Sequence, residues 1–320
     1  MNEVDAATAR RRFQIHRVEP GTLLVEEGTV GRALLCLIEG ELEVCAGETV
    51  VAVVSQPGSL LGETALFEDN VRTASVVARA PSVVWSLERE GYEELRDTLH
   101  PITRNLEITA IAEQVVRLHD VGDRVIELAL GTPPTPPPTG FFAAVRRLFG
   151  LGGARPATAN VRSCLARSPL FADAPPMVLD LLAPRFTSWR CDPGTLLCTE
   201  GERGDKMFVL EEGEVDVVVA AGEEPRVVAT LSPGQAFGMV SLASGAPRMS
   251  SCITRGEALV HQLDAATWSE LSDEVDMGAS TFRRAMIRAL AEQLRHANQQ
   301  VATAISTGDP KALDAVRSGM

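Results

Sequence analysis

The chain has 320 residues, of which 45% are hydrophobic, 23% charged and 4% aromatic, and its formal net charge is −13. This is the composition of a globular protein of roughly two ordinary domains, and it excludes a disordered tail or a fibre. The acidic balance argues against general binding to nucleic acid or anionic lipid. No apolar run approaches the roughly 18 to 20 residues that a membrane-spanning helix needs, so we expect no transmembrane segment.

The six cysteines and five histidines predict neither a disulfide framework nor a metal site. The cysteines form no C-x-x-C pair, and most lie in apolar runs, where a free thiol behaves as a small hydrophobic side chain. The histidines are scattered and form no i, i+4 pair. No uninterrupted apolar segment follows the arginines at 10–12, so we read no export signal. We expect a cytoplasmic protein without a bound metal.

An internal repeat dominates the sequence. Residues 20–44 align without a gap against residues 193–217, and about half of these positions are identical. After a length difference in one turn, the register resumes at a Pro-Gly pair in each copy, at residues 57–58 and 233–234. We interpret the chain as a tandem duplication.

Each copy begins with short segments rich in β-branched residues, separated by turn signals such as Pro20-Gly21. Strands this short and regularly spaced indicate a sandwich or a barrel-like roll. Helix-period sequence follows, from Tyr92 to about Leu130 in the first copy and from Trp268 to about Thr307 in the second. The predicted fold class is mainly β with α, comprising two jelly-roll-like β-rolls that are each followed by C-terminal helices.

The two copies are separated by a proline-rich segment. Residues 131–140 (GTPPTPPPTG) cannot continue a helix or join a central strand, so they predict an extended linker. The second copy has a helical lead-in at about 161–185, whereas copy one starts its first strand within roughly a dozen residues of Met1 and lacks such helices. We predict domain 1 at 1–130, a linker with a short amphipathic segment at 131–160, and domain 2 at 161–320.

One motif in copy one carries chemistry. The sequence LGETAL at 61–66 leads to VRTASV at 71–76, which places Glu63 and Arg72 nine positions apart around a short helix-capable turn. Arg72 can form a charge-assisted fork with an anion, and the amides that open a helix near Glu63 favour the same anion. Gly62 allows the backbone to approach closely. The alternative is a surface ion pair on a roll that binds no ligand.

This pattern resembles the phosphate-binding cassette of the cyclic nucleotide-binding domain family, Gly-Glu-x-Ala-Leu followed by Arg-x-Ala-Ser/Thr. The resemblance covers both rolls. It implies that Arg72 pairs with the cyclic phosphate of cAMP or cGMP, and that Glu63 accepts hydrogen bonds from the ribose 2′-hydroxyl. The implied ligand-binding residues are Gly62, Glu63, Thr64, Ala65, Arg72, Thr73 and Ala74.

The choice between cAMP and cGMP stays open at this point. Arg-Thr-Ala-Ser-Val resembles the cassette of cyclic-nucleotide-gated channels and cGMP-dependent kinases, where a hydroxyl at the place of Thr73 reaches the 2-amino group of guanine. A threonine is also an ordinary strand residue.

Copy two departs from the cassette pattern. Met239 replaces the carboxylate, although Arg248 keeps the nine-residue offset. Losing a hydrogen bond to a charged acceptor typically costs about 1.5 to 3 kcal/mol, which here would be binding free energy of the ligand. We expect a degenerate site that is retained for packing or dimerisation, the alternative being a ligand with an apolar group where ribose would lie. The residues of this possible second site are Gly238, Met239, Arg248 and Met249.

Two apolar helical faces leave further alternatives. Residues 141–149 form a short basic amphipathic segment that can dock on a partner or a membrane surface, but packing against its own domains is favoured. The stripe from Phe282 to Ile305 can form a dimer seam or cover its own roll. Because bacterial receptors that the chain resembles commonly pair through this helix, we predict a homodimer.

We find no recognisable catalytic constellation or cofactor motif, so no enzymatic role is expected. Fewer than about twenty residues follow Ile305, too few for a helix-turn-helix module, and nucleic-acid binding is not expected. The chain thus resembles the sensor part of a cAMP-receptor-type regulator without its DNA-binding part. We expect a cyclic nucleotide-binding regulatory protein that signals through an unknown effector protein. The alternatives are a scaffold that uses degenerate folds as interaction surfaces, and a kinase regulatory subunit.

Overall fold

Eight described strands build the first β-roll. In a computed structural model the described residues are 10–47, 49–62, 64–67, 71, 72, 74–130, 145, 152–172, 174–221 and 224–307. The strands are β1 Phe13–Val18, β2 Leu23–Val25, β3 Ala33–Glu39, β4 Leu42–Ala46, β5 Thr49–Val54, β6 Leu60–Leu61, β7 Ser75–Ala78 and β8 Ser82–Glu88. They form two antiparallel sheets, in the orders β1-β8-β3-β6 and β2-β7-β4-β5.

The inward faces of these two sheets supply the core of the first roll. Side chains alternate along the strands because successive residues point to opposite faces of a sheet. Leu37, Leu42 and Val84 are each 0% exposed and lie in one apolar cluster. The turn from β3 to β4 requires Gly40, which has a φ of 101° and whose Cβ, if present, would collide with Ser82. The predicted roll is confirmed.

Within the described residues, three helices follow or interrupt the first roll. They are α1 Thr64–Phe67, α2 Arg89–Asp97 and α3 Pro101–Leu130. The Phe67 and Tyr92 rings meet edge to face, with centroids 5.2 Å apart. The Tyr92 hydroxyl donates to Glu107 Oε1 at 2.5 Å, and both residues are fully buried. Burial, together with the Glu107 charge, raises the pKa of Tyr92 well above its ordinary value, so the phenol stays a donor.

The second roll repeats this plan with one additional described strand. Its strands are β9 Ala154–Pro156, β10 Thr187–Cys191, β11 Leu196–Cys198, β12 Lys206–Glu212, β13 Val215–Ala221, β14 Glu224–Leu231, β15 Ala236–Phe237, β16 Ser251–Thr254 and β17 Ala258–Asp264. The sheet orders are β15-β12-β17-β10-β9 and β11-β16-β13-β14. Gly213 occupies the turn equivalent to Gly40, with a φ of 88°. The duplicated sequence therefore folds into duplicated rolls.

The helices of the second copy include the predicted lead-in. They are α4 Val161–Arg167, α5 Pro176–Leu182, α6 Met239–Ser244, α7 Ala265–Asp273 and α8 Met277–Thr307, with 3₁₀ turns at Pro169–Phe171 and Ala183–Arg185. The prediction that copy one has no such lead-in falls on residues 1–9, which lie outside the described residues. Within the described residues, no helix combines the length and the apolar character needed to cross a membrane.

The apolar stripe on α8 covers its own chain. Phe282, Met286 and Leu290 are each 0% exposed. The Phe282 ring lies near the aromatic rings of three other residues, Phe171, Phe186 and Trp268. At Phe282 the stripe thus packs against the helical lead-in and α7 of its own copy. The homodimer remains a prediction.

Contacts divide the chain into two units. One comprises residues 1–110 with 275–280, and the other comprises residues 111–274 with 281–320. The domain limits 1–130, 131–160 and 161–320 stay a prediction, because this division follows the packing of α3 rather than the sequence repeat. In the segment 141–149 only Val145 is described, and it is buried against Val218 and Ile253. At this residue the segment packs against its own chain.

Candidate functional site

The first cassette connects β6 of one sheet to β7 of the other sheet of the first roll. β6 ends at Gly62, whose φ is 72°, and α1 follows it. After α1 the chain returns to pair with residues 28–30: Val71 bridges Val30, the Arg72 amide donates to the Thr29 carbonyl oxygen, and the Gly28 amide donates to the Arg72 carbonyl oxygen. Hydrogen bonds at both its amide and its carbonyl group therefore fix the backbone of Arg72, independently of its side-chain contacts.

The Arg72 guanidinium lies on two glycines. It donates to the carbonyl oxygens of Ala33 at 2.6 Å and Gly62 at 3.4 Å, and the side chain is half-buried. A Cβ at either Gly31 or Gly62 would collide with the guanidinium. Gly62 also has a positive φ, so a larger residue there would be strained, whereas at Gly31 the guanidinium would have to move to admit a side chain. The geometry places an arginine fork beside the glycine that precedes α1, as the sequence predicts.

The described residues include part of the predicted ligand set. Gly62, Arg72 and Ala74 are described, and Thr64 and Ala65 form the start of α1, although their side chains lie outside the described part of the chain. Glu63 and Thr73 also lie outside it. The structure brings Gly62 and Arg72 into contact. The roles of all seven residues stay predictions.

The second cassette has the same backbone plan with a more deeply buried arginine. Gly238 precedes α6 with a φ of 80°. Arg248 donates to the carbonyl oxygens of Gly238 at 2.9 Å and Lys206 at 2.6 Å, and it is 5% exposed. The two arginines thus occupy equivalent places, as their common nine-residue offset predicts.

Two side chains of the second cassette, Met239 and Ser241, pack closely against the protein. Met239, which replaces the carboxylate, is 2% exposed. Ser241 stands where copy one has Ala65, and it lies so close to Gly204 that a Cβ on this glycine would collide with it. The Ser241 hydroxyl donates to the Pro247 carbonyl oxygen at 3.3 Å. These contacts favour the expectation of a degenerate site.

Helix α3 also contacts the second cassette. The Met249 side chain lies against Gly122 of α3, where an added Cβ would collide with its methyl group. Both residues belong to the unit that begins at residue 111. Sequence reasoning missed Gly122, and the only signal for it was an isolated glycine inside a helical pattern, which marks a close approach or a special packing role.

A pair of thiols lies next to the second cassette. Cys198 and Cys252 are directly opposite each other on β11 and β16, where the first roll pairs Val25 with Val76. The hydrogen bond between the thiols lowers the pKa of Cys198, and the Arg248 charge acts in the same direction. The same bond and burial raise the pKa of Cys252. The pair has no counterpart in copy one.

Comparison with known proteins matches both rolls. The profile of the cyclic nucleotide-binding domain family matches residues 15–98 and 189–274. The cAMP-dependent protein kinase regulatory subunit of Yarrowia lipolytica is 26% identical over 264 residues, which are 82% of this chain and 55% of that protein. The cGMP-dependent protein kinase 2 of Rattus norvegicus is 24% identical over 237 residues, which are 73% of this chain and 24% of the kinase.

One solved structure aligns with most of this chain. The regulatory domain of Toxoplasma gondii PKA, crystallised with cAMP, is 21% identical with a TM-score of 0.33, over 86% of this chain and 87% of that chain. The chain spans about half the length of the Yarrowia subunit and about a quarter of the rat kinase.

Proposed function

Because the chain belongs to the cyclic nucleotide-binding domain family, we propose that it is a regulatory protein whose first roll binds cAMP or cGMP and which signals through a partner protein. The observation that carries this proposal is the Arg72 fork, half-buried beside Gly62 at the start of α1. Phosphate oxygens can replace the carbonyl acceptors of this guanidinium in a charge-assisted, two-pronged bond. Glu63 would then hold the ribose hydroxyl.

The second roll is proposed to have a structural role. Its Arg248 is buried on backbone carbonyls, and Met239 offers no acceptor for a ribose hydroxyl. A nucleotide entering this cassette would have to displace Ser241 from Gly204 and take a buried charge away from its partners. We therefore assign one nucleotide to each chain.

The output of binding would travel through the helices that follow the first roll. Phe67 at the end of α1 contacts Tyr92 of α2, which is hydrogen-bonded to Glu107 of α3. If α1, α2 and α3 have two arrangements, a ligand shifts the equilibrium between these arrangements only by its differential affinity for them. The names of the kinase relatives support a protein kinase as the partner class. We further propose that the chain acts in the cytoplasm and has no catalytic activity of its own.

Isothermal titration of the full chain with cAMP and with cGMP tests the proposal. Wild-type protein should bind one nucleotide per chain. Arg72→Lys should weaken binding at least tenfold, about 1.4 kcal/mol, because lysine retains the charge but not the fork. Arg248→Lys is the matched control, and after its fold has been checked by thermal unfolding it should bind like the wild type.

Two results would contradict the proposal. The first is the absence of heat with either nucleotide, which would leave the scaffold function as the better account. The second is binding that survives Arg72→Lys and is lost in Arg248→Lys, which would move the site to the second roll.

A further inference from the structure

Three side chains of metal-ligand type meet in the second roll, and none of them belongs to its cassette. Cys164 lies on α4, Glu211 near the end of β12 and His261 on β17. One possible ligand atom from each residue lies within 4.8 Å of the other two. The His261 side chain is 0% and the Glu211 side chain 12% exposed, and Cys164 is buried. The fold brings together residues that are far apart in the sequence, which is why no ligand spacing was visible there.

The carboxylate is placed by a β-bulge. The pairing of β12 with β17 changes register at Glu211, and the pairing of β3 with β8 changes register at the equivalent Ile38. Bulges redirect a side chain and recur beside functional sites. Both rolls thus have the bulge, but the residue at the bulge is acidic only in the second roll, where Glu211 lies in the cluster.

The histidine is also specific to the second copy. His261 lies opposite Ser188 in the strand pairing, whereas the first roll has Trp85 opposite Ile15 at the same place. Burying a polar ring is unfavourable unless it is well paired, and an apolar pair fits the same position of the fold. His261 and Ser188 are therefore not needed to fill this position of the fold, which indicates another role for them.

The contacts around the cluster orient its ligand atoms. The Ser188 hydroxyl lies 3.0 Å from His261 Nδ1, which directs Nε2 to Glu211 Oε2 at 2.6 Å. The other carboxylate oxygen accepts a hydrogen bond from Arg167 at 3.0 Å. Metal ligands in proteins characteristically have such outer partners, which fix the histidine tautomer and the direction of the carboxylate.

A cavity of about 200 Å³ adjoins two of the three side chains. It is lined by Cys164, Arg167, Leu210, Glu211, Pro233 and Gly234. This volume is large enough for water, so the cavity could offer an entry path and a fourth coordination position. Three protein ligands with one open position is a common arrangement of zinc outside purely structural sites.

A cysteine nucleophile is the competing interpretation of the same residues. Cys164 is buried, and a thiol in buried surroundings without a cationic neighbour directed at it is not activated as a nucleophile. Both ring nitrogens of His261 already have partners, Ser188 and Glu211. Neither ring nitrogen is therefore directed at the thiol as a general base. A metal ion bound here would replace the proton shared by His261 Nε2 and Glu211, and it would deprotonate the thiol directly.

We propose that Cys164, Glu211 and His261 bind one Zn²⁺ ion. The thiolate and the carboxylate neutralise the dication, and the mixed sulfur, nitrogen and oxygen set suits zinc. The ion would tie α4 of the lead-in to β12 and β17. This site shares no residue with the first cassette, and the proposal runs contrary to the sequence-based expectation of a protein without a metal.

Titration of the full chain with Co²⁺ as a spectroscopic probe tests this site. The affinity tag is removed and the protein is treated with chelator beforehand. We expect one Co²⁺ per chain, a near-ultraviolet thiolate-to-cobalt absorption band, and displacement of the probe by Zn²⁺. Cys164→Ser should abolish the band and weaken binding at least tenfold. Ser188→Ala, which removes only an outer contact, should weaken it by about 10- to 100-fold.

Cys45→Ser is the matched control, since it removes a thiol of the first roll. It should leave the band and the stoichiometry unchanged. If Cys164→Ser does not fold, Glu211→Gln serves as the second variant and should also lose the metal. A titration without a thiolate band, or a band that persists unchanged in the folded Cys164→Ser or Glu211→Gln variant, would overturn the proposal.

Discussion

At the scale of single residues, burial separates Arg248 from Arg72. Arg248 is 5% exposed, and its bonds to two carbonyl oxygens measure 2.9 and 2.6 Å. Arg72 makes the equivalent bonds, but the bond to Gly62 measures 3.4 Å and the side chain is half-buried. Moving the Arg248 guanidinium away from its carbonyl partners therefore costs more free energy than moving that of Arg72, because a deeply buried charge depends more on its partners. This difference underlies the assignment of ligand binding to Arg72 and a structural role to Arg248.

The effect of alanine substitution should follow the same difference. Arg248→Ala leaves two carbonyl acceptors in the second roll without their charged donor, and should lower the free energy of unfolding by about 2 to 4 kcal/mol. Arg72→Ala should cost about 1 kcal/mol because its weaker bond lies near solvent, which can replace the donor. Differential scanning calorimetry of the two variants measures both effects. Equal losses, or a smaller loss for Arg248→Ala, would contradict the structural role of Arg248.

The sequence predicts where these arginines lie but not how deeply they are buried. Their nine-residue offset from Glu63 and Met239 is the same in both copies. Burial of Arg248 accompanies a close contact between Ser241 and Gly204, which are distant in the chain. Such long-range packing leaves no local pattern, so the second site stayed open between a degenerate and an altered one.

At the scale of elements, the helices after the first roll show what periodicity misses. The apolar pattern predicts one helical stretch from Tyr92 to about Leu130, whereas the structure has α2 and α3 with a break between them. Leu99 in the break has a φ of 52°, and α3 starts at Pro101. Proline is tolerated in the first turn of a helix and not in its interior. The break therefore had a sequence signal, but one carried by a single residue rather than by the hydrophobic period.

The contacts among α1, α2 and α3 make the proposed relay testable. Saturation with nucleotide should change amide hydrogen exchange across α2 and α3, because Phe67, Tyr92 and Glu107 connect these helices to the cassette. Tyr92→Phe keeps the ring contact but removes the hydrogen bond to Glu107. In this variant the change should persist in α2 and diminish in α3. Identical exchange in both helices with and without bound nucleotide would rule out the relay.

At the scale of the whole molecule, one fold occurs twice with different surroundings. The repeat of 20–44 at 193–217 is sufficient to predict two rolls, because turn glycines and strand alternation are local features. Local patterns do not show that residues of α3 beyond Ala110 belong to the unit of the second roll. Nor do they show that the α8 stripe is covered within its own chain. These features depend on contacts between distant segments.

The central claim is that each chain binds one cyclic nucleotide, in the first roll. Native mass spectrometry of the full chain with cAMP or cGMP counts bound ligands per chain directly, and it also reports whether the chain forms the predicted homodimer. We expect one nucleotide per chain in the wild type and in Arg248→Lys. At a concentration that just saturates the wild type, the occupancy of Arg72→Lys should be lower, in line with binding that is at least tenfold weaker. Two nucleotides per wild-type chain, or equal occupancy in the wild type and Arg72→Lys, would contradict this assignment.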